Sequence, residues 1–241
     1  MVIAWLVVAY LTLAEPVLGL LVYRRLRDGS ISRSRAYASS IAQAWVLTAA
    51  ALASLSLAGV PLARLGLRLG DYAPAAGQGV VLGLAAGLVL GAAASLAIVA
   101  LARRRHAGTP LPPPTRRRVA GAIALLPRTV PERRLFALVA VTAGVCEEIL
   151  YRAVALYVLS HALPGLPMPA LVALAALVFA LGHAYQGLAG ALGAGGIGAA
   201  FAVVYLGTGS LLLPVVLHSV IDLRALAAAP EAAAAPAQGA A

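Results

Sequence analysis

Side chains that do not belong in hydrocarbon interrupt the apolar part of this chain, and their spacing is suggestive. "GVCEEILYR", from Gly144 to Arg152, sets two adjacent carboxylates and a guanidinium inside one apolar run. "LVFALGHAYQG" places His183 four residues after Phe179, and "LLPVVLHSVIDLR" places Asp222 four residues after His218. A charged group at mid-bilayer costs at least about 2.5–3.5 kcal/mol, and such groups are kept mostly for transport, proton relay or chemistry. Glu148 and Arg152, with the acid N-terminal, are in the favourable order for a helical ion pair. Glu147 lies about 100° further round a helix. The expected division of labour is a structural Glu148–Arg152 pair and a Glu147 carboxylate aimed at the bundle interior as a general base. His218 and Asp222 share one helix face, so the acid can orient the imidazole or both can face a common ligand. Two imidazoles with carboxylates can bind zinc or activate water and hold an oxyanion without metal. No His-Glu-x-x-His is present, and the spacing leaves both chemistries open.

Each motif also has a plainer reading: an interhelical packing network, a hydrogen-bonded histidine at a span end, a helix-internal His–Asp bond. Three motifs on three separate helices, carrying Glu147, His183, His218 and Asp222, make convergence on one site the better account.

The elements that must position these groups are apolar helices. The chain has 241 residues, 62% hydrophobic and 11% charged, against about 45–50% and 25% in soluble domains. Its mean hydropathy is +0.96. The composition predicts an all-α, polytopic transmembrane bundle of seven to eight spans; the membrane expected is a bacterial or archaeal cell membrane. At about 20 residues per span, the spans fall at 2–23, 38–58, 79–102, 135–160, 168–186, 189–206 and 210–227, with an eighth possible near 119–127. Residues 61–75 read as an interfacial or re-entrant segment. The first span is too long for the apolar core of a signal peptide and is read as uncleaved. One cysteine, Cys146, excludes an internal disulfide.

The net charge of +10 comes from 18 arginines without a lysine. They cluster in short loops, Arg24–Arg35 after the first span and Arg103–Arg118 after the third, which is an orientation signal rather than a nucleic-acid footprint. Both loops are expected in the cytoplasm, with the N-terminus outside and the C-terminus inside. The expected organisation is a three-span region at 1–102, a basic, Pro-rich cytoplasmic loop with an amphipathic or partial span at 103–134, a helix bundle at 135–227 that carries the chemistry, and a disordered tail at 228–241. The partner implied by this pattern is membrane lipid, with no nucleic acid.

"EEILYR", "FALGH" and "HSVID" occur in the order of the three motifs of the CPBP intramembrane proteases, the family of CAAX proteases, bacteriocin-processing enzymes and abortive-infection proteins, which residues 135–225 resemble. The resemblance implies peptide-bond hydrolysis in or beside the membrane, and with it a membrane-associated protein or peptide partner, prenylated in some members. It implies Glu147 as the base that activates water, Glu148 and Arg152 as the accompanying pair, and His183 and His218 as the two histidines. Asp222 stands where the eukaryotic prenyl-protein proteases have Asn. Ionised Asp cannot donate to an oxyanion, and orienting His218 or binding metal suits it better. Members of the family are often labelled metalloproteases, and a glutamate mechanism without metal has also been argued. The non-metal assignment is adopted here; were a divalent metal such as zinc held, its ligands would be Glu147, His183 and His218. Prenylated CAAX proteins, precursors with a double-Gly leader and other membrane peptides are all open as substrates.

Two other function classes are compatible with ionisable groups in apolar runs. A proton- or ion-coupled transporter also needs ionisable groups in spans, but it predicts repeats in corresponding halves, and no such symmetry is found. A non-catalytic immunity or scaffold protein is the other. "GAGGIG" at 193–198 fits a dinucleotide pattern, yet no strand precedes it, and small-residue helix packing is the better reading. "GTGS" hints at a rhomboid serine, but Ser210 opens the helix that carries His218 and suits an N-cap. Glu15-Pro16 in the first span is read as a kink with a bundle-internal bond, with no catalytic role assigned.

Overall fold

The computed structural model describes residues 1–68, 78–105 and 125–229. All regular structure among them is helical. The first helix, α1, spans Val2–Arg27. It is followed by α2, Arg33–Leu57, and α3, Gln78–Arg105. The fourth, α4, runs from 130 to 162 through a central change of register. Then come α5, Met168–Gly182, α6, Leu188–Thr208, and α7, Leu212–Leu223. Single 3-10 turns lie at Leu62–Leu65 and Ala184–Gln186.

These helices follow the apolar runs, with shifted ends. Helix α4 starts at Val130 rather than 135, because Thr129 and Glu132 form a reciprocal capping box and Pro131 occupies the first turn. The segment read as 168–186 stops at Gly182, where the chain tightens into the 3-10 turn. Helix α7 starts two residues after Ser210, whose Oγ accepts from Leu212 N–H at 3.2 Å. Among the described residues three helices, α1, α2 and α6, are long and apolar enough to cross a membrane; α5 and Val81–Ala97 of α3 are apolar but shorter. The seven-to-eight-span expectation is thus matched in helix number but not span by span. The expected Pro-rich loop, tail and most of the eighth-span region lie outside the described residues, as does the end of the 61–75 segment.

Helix α4 is the axis of the bundle. It packs on α2 and α7, while α1 lies on α2, α5 on α6, and α3 against α6 and α7. The main core joins Val7, Leu11 and Leu55 of the first two helices to Val154 and Val158 of α4 and to Phe179 of α5. Polar ties fix the periphery: Arg224 Nη1 donates to Ser95 Oγ at 2.8 Å, and Arg133 Nη2 to the Leu226 carbonyl at 2.9 Å. The outer faces expose Leu and Val, among them Leu57 and Leu188, as befits contact with acyl chains.

Two helices contain π-helical turns. In α1 this is Tyr10–Ala14, directly before Glu15 and Pro16. In α4 it is Glu148–Ala155, and all eight of its residues are buried. The i→i+5 bonding of such turns is found frequently at functional sites.

Candidate active site

The register of α4 changes between the two adjacent acids, Glu147 ending the α-helical part and Glu148 opening the π part. Glu148 is fully buried. Its Oε1 accepts from His218 Nδ1 at 2.7 Å and forms a 3.1 Å ion pair with Arg152 Nη1. Arg152 is buried too. Its Nη2 donates to the Gly198 carbonyl at 3.4 Å, and its guanidinium lies 4.4 Å from the Phe179 ring centre and 5.4 Å from that of Phe201. A buried charge is tolerated where it is paired and hydrogen-bonded, and here the cation has a carboxylate, a carbonyl and two π faces.

The other imidazole nitrogen of His218 faces outward. Its Nε2 lies 3.6 Å from Asp222 Oδ2 and 3.9 Å from Glu147 Oε2. These two acids are the wetter ones, with side chains 37% and 29% exposed. Glu147 Oε2 has no hydrogen-bond partner among the described residues. The residue lines a cavity of about 240 Å³, together with Tyr151, His183 and Tyr185 on one side and Glu15 and Gln43 on the other. His183 ends α5. Its Nδ1–H donates to the Phe179 carbonyl at 2.8 Å, which leaves the lone pair on Nε2. The Phe179 ring contacts both imidazoles, 4.4 Å from His183 and 6.1 Å from His218 between centres.

Glycine makes the crossing of α4 and α7 possible. A Cβ at Gly144 would lie 2.9 Å from the Ser219 amide nitrogen, so only glycine lets α7 come close enough for His218 to reach Glu148. Gly198 does the same for α6: a Cβ there would stand 2.9 Å from Phe179 and 3.3 Å from Arg152 Nη2. Of the glycine run of α6, Gly195 and Gly198 therefore serve helix packing, whereas Gly193 and Gly196 face open space.

Every residue proposed from sequence for the catalytic set or its ion pair is in this neighbourhood. Glu147 and Asp222 meet at His218 Nε2, Glu148 and Arg152 pair, and His183 shares the cavity with Glu147. For Asp222 two arrangements are open from sequence, orienting His218 or facing a common ligand with it; in the structure Glu148 binds Nδ1, and Asp222 stands at the opposite ring nitrogen. The reason is the close crossing at Gly144, which brings a neighbouring helix to the nitrogen an i+4 partner does not reach. Glu148 is therefore more than the partner of Arg152. Sequence reasoning passed over Gln43 and Gly144, and it left Glu15 without a role. The signal for Gly144 was its place three residues before the acid pair.

Among the described residues, no three His, Cys, Asp or Glu side chains stand together as a metal-holding set. The suggested triad of Glu147, His183 and His218 does not fit a metal as these side chains lie, and no step below is routed through one.

Residues 131–224 match the family described as type II CAAX prenyl endopeptidase, Rce1-like. The match takes in α4 to α7 and leaves α1 to α3 outside it. No curated protein and no solved structure matches the chain.

Proposed function

We propose that this chain, which through residues 131–224 belongs to the Rce1-like CAAX protease family of integral membrane proteins, is an intramembrane endopeptidase that cleaves a membrane-associated peptide with water activated by Glu147. One observation carries the reading. The two nitrogens of His218 divide three carboxylates, Glu148 on the buried side, and Glu147 and Asp222 on the side towards solvent. A buried pair that holds and a solvated pair that reacts is the arrangement hydrolysis needs.

In the mechanism, Glu147 takes a proton from a water molecule in the cavity. The water oxygen bonds to the peptide carbonyl carbon, and the carbonyl oxygen becomes an oxyanion. His218, doubly protonated among its three carboxylates and held at Nδ1 by Glu148, donates from Nε2 to that oxyanion. Such donors can be worth about 2.7–4 kcal/mol in a water-poor site. His183 positions the water or the departing amine through Nε2. As the C–N bond breaks, Glu147 returns its proton to the leaving nitrogen, so proton and charge balance over the cycle. Asp222 keeps a second acceptor at His218 Nε2 between turnovers. Helices α1 to α7 are all membrane-embedded in this reading, and the substrate is a CAAX-type or other membrane-anchored peptide.

The test is cleavage of a fluorogenic peptide in detergent by wild type and Glu147→Ala, alongside proteomic comparison of cells that carry each. Loss of processing of a defined membrane peptide, with an unchanged fold, is expected. A well-folded Glu147→Ala protein that still cleaves would end the assignment.

A further inference from the structure

The cavity that holds Glu147 has a second wall, built by helices outside the family match. Glu15 on α1 and Gln43 on α2 line it, and Gln43 Nε2 donates to Glu15 Oε2 at 2.8 Å. Helix α1 is pressed onto the turn after α5: a Cβ on Gly19 would lie 3.3 Å from the Tyr185 ring. Glu15 is thereby delivered into the same space as His183.

The charge of this space is the opposite of the chain's. The protein has 18 arginines and eight acids. Yet among the described residues two acids and no arginine line the cavity. The hydrogen-bonding neighbours of Glu15, Gln43 and Tyr10, are neutral. A second observation points to a polar occupant. Tyr151 is 4% exposed and lines the cavity beside Gly182. Its hydroxyl would stand 3.1 Å from a Cβ at that glycine, and its oxygen is not one of the sealed, unpartnered side-chain atoms among the described residues, so it opens onto the cavity where an occupant can reach it.

We infer that this wall is a subsite for a basic side chain of the substrate, a lysine or arginine close to the cleaved bond, with Glu15 as its ion-pair partner and the Tyr151 hydroxyl as a further acceptor. The inference rests on the protease reading and adds a specificity-determining residue to it. Attraction falls on one charge sign: an acidic side chain in the same place meets two carboxylates. The N-terminal helices thus contribute selection, and α4 to α7 the reaction.

The experiment uses the full chain in detergent and a peptide set that differs only at the residues flanking the cleaved bond, with Lys, norleucine or Glu at each in turn. Binding is read by fluorescence anisotropy and cleavage by kcat and KM. At one flanking position wild type is expected to bind the Lys peptide at least about tenfold better than the Glu peptide. Glu15→Gln should bring that ratio within about twofold, through KM with kcat little changed. Gln43→Lys, which sets a cation beside the intact Glu15, should do the same and serves if Glu15→Gln misfolds. A Lys preference that survives both variants, or no preference in wild type, overturns the inference. Cleavage separates the two ideas: wild type that binds with the expected preference but cleaves nothing defeats the protease reading and leaves the subsite, whereas active wild type indifferent to charge defeats the subsite alone.

Discussion

The two π-helical stretches flank one cavity and are made in different ways. In α1, Tyr10–Ala14 precedes Pro16, and only Leu11 of its five residues is buried. A proline has no N–H for the carbonyl four residues back, and its ring crowds that carbonyl, so the wide turn has a local chemical cause. In α4, Glu148–Ala155 contains no proline and is buried throughout. What holds it is mainly tertiary: beside the local Glu148–Arg152 pair, His218 meets Glu148, and the Gly198 carbonyl and the Phe179 ring meet Arg152. The comparison teaches that the same backbone device is a matter of covalent structure on one wall and of packing on the other.

The sharpest way to break the symmetry is to remove the acid at the edge of the packed stretch. Glu147→Gln should lower kcat by about 10²–10⁴-fold, the range for lost general-base catalysis, with thermal unfolding unchanged, as measured by peptide cleavage and a detergent melt. Next in size, Arg152→Ala leaves Glu148 as a buried charge without its cation, a loss of about 3–5 kcal/mol. It should appear as a large drop in melting temperature and as aggregation on size exclusion. Gly144→Ala should cost about 1–3 kcal/mol through overpacking. It should also lower activity by separating His218 from Glu148, while the same change at Gly83, with open space around it, should leave both nearly untouched. The smallest effect belongs to the proline-made turn. Pro16→Ala should change stability by less than about 1 kcal/mol. It should weaken the Lys preference by turning Glu15 within the cavity, read in the binding assay above.

The same contrast explains what could be read from sequence. The seven helices were legible because apolar runs of that length have few other solutions, and Thr129–Glu132 even carried the true start of α4 in its capping pattern. Glu147, Glu148, Arg152, His183, His218 and Asp222 stood out because a charge in an apolar run is costly and must be accounted for. Three things were not legible. The π register of α4 depends on neighbours far away in the chain. The partner of His218 Nδ1 comes from another helix, and helical spacing alone suggested Asp222. Glu15 lies more than a hundred residues from Glu147, and no spacing rule joins two acids across helices.

His218 has a consequence for how neighbouring residues in one chain can differ. Its ring takes Glu148 at one nitrogen and faces Glu147 and Asp222 with the other, and so acts as a bulkhead. On one side Glu148 lives dry; on the other Glu147 is partly wetted. Two identical side chains one peptide bond apart thus inhabit different surroundings, and the partition between them is one imidazole ring thick.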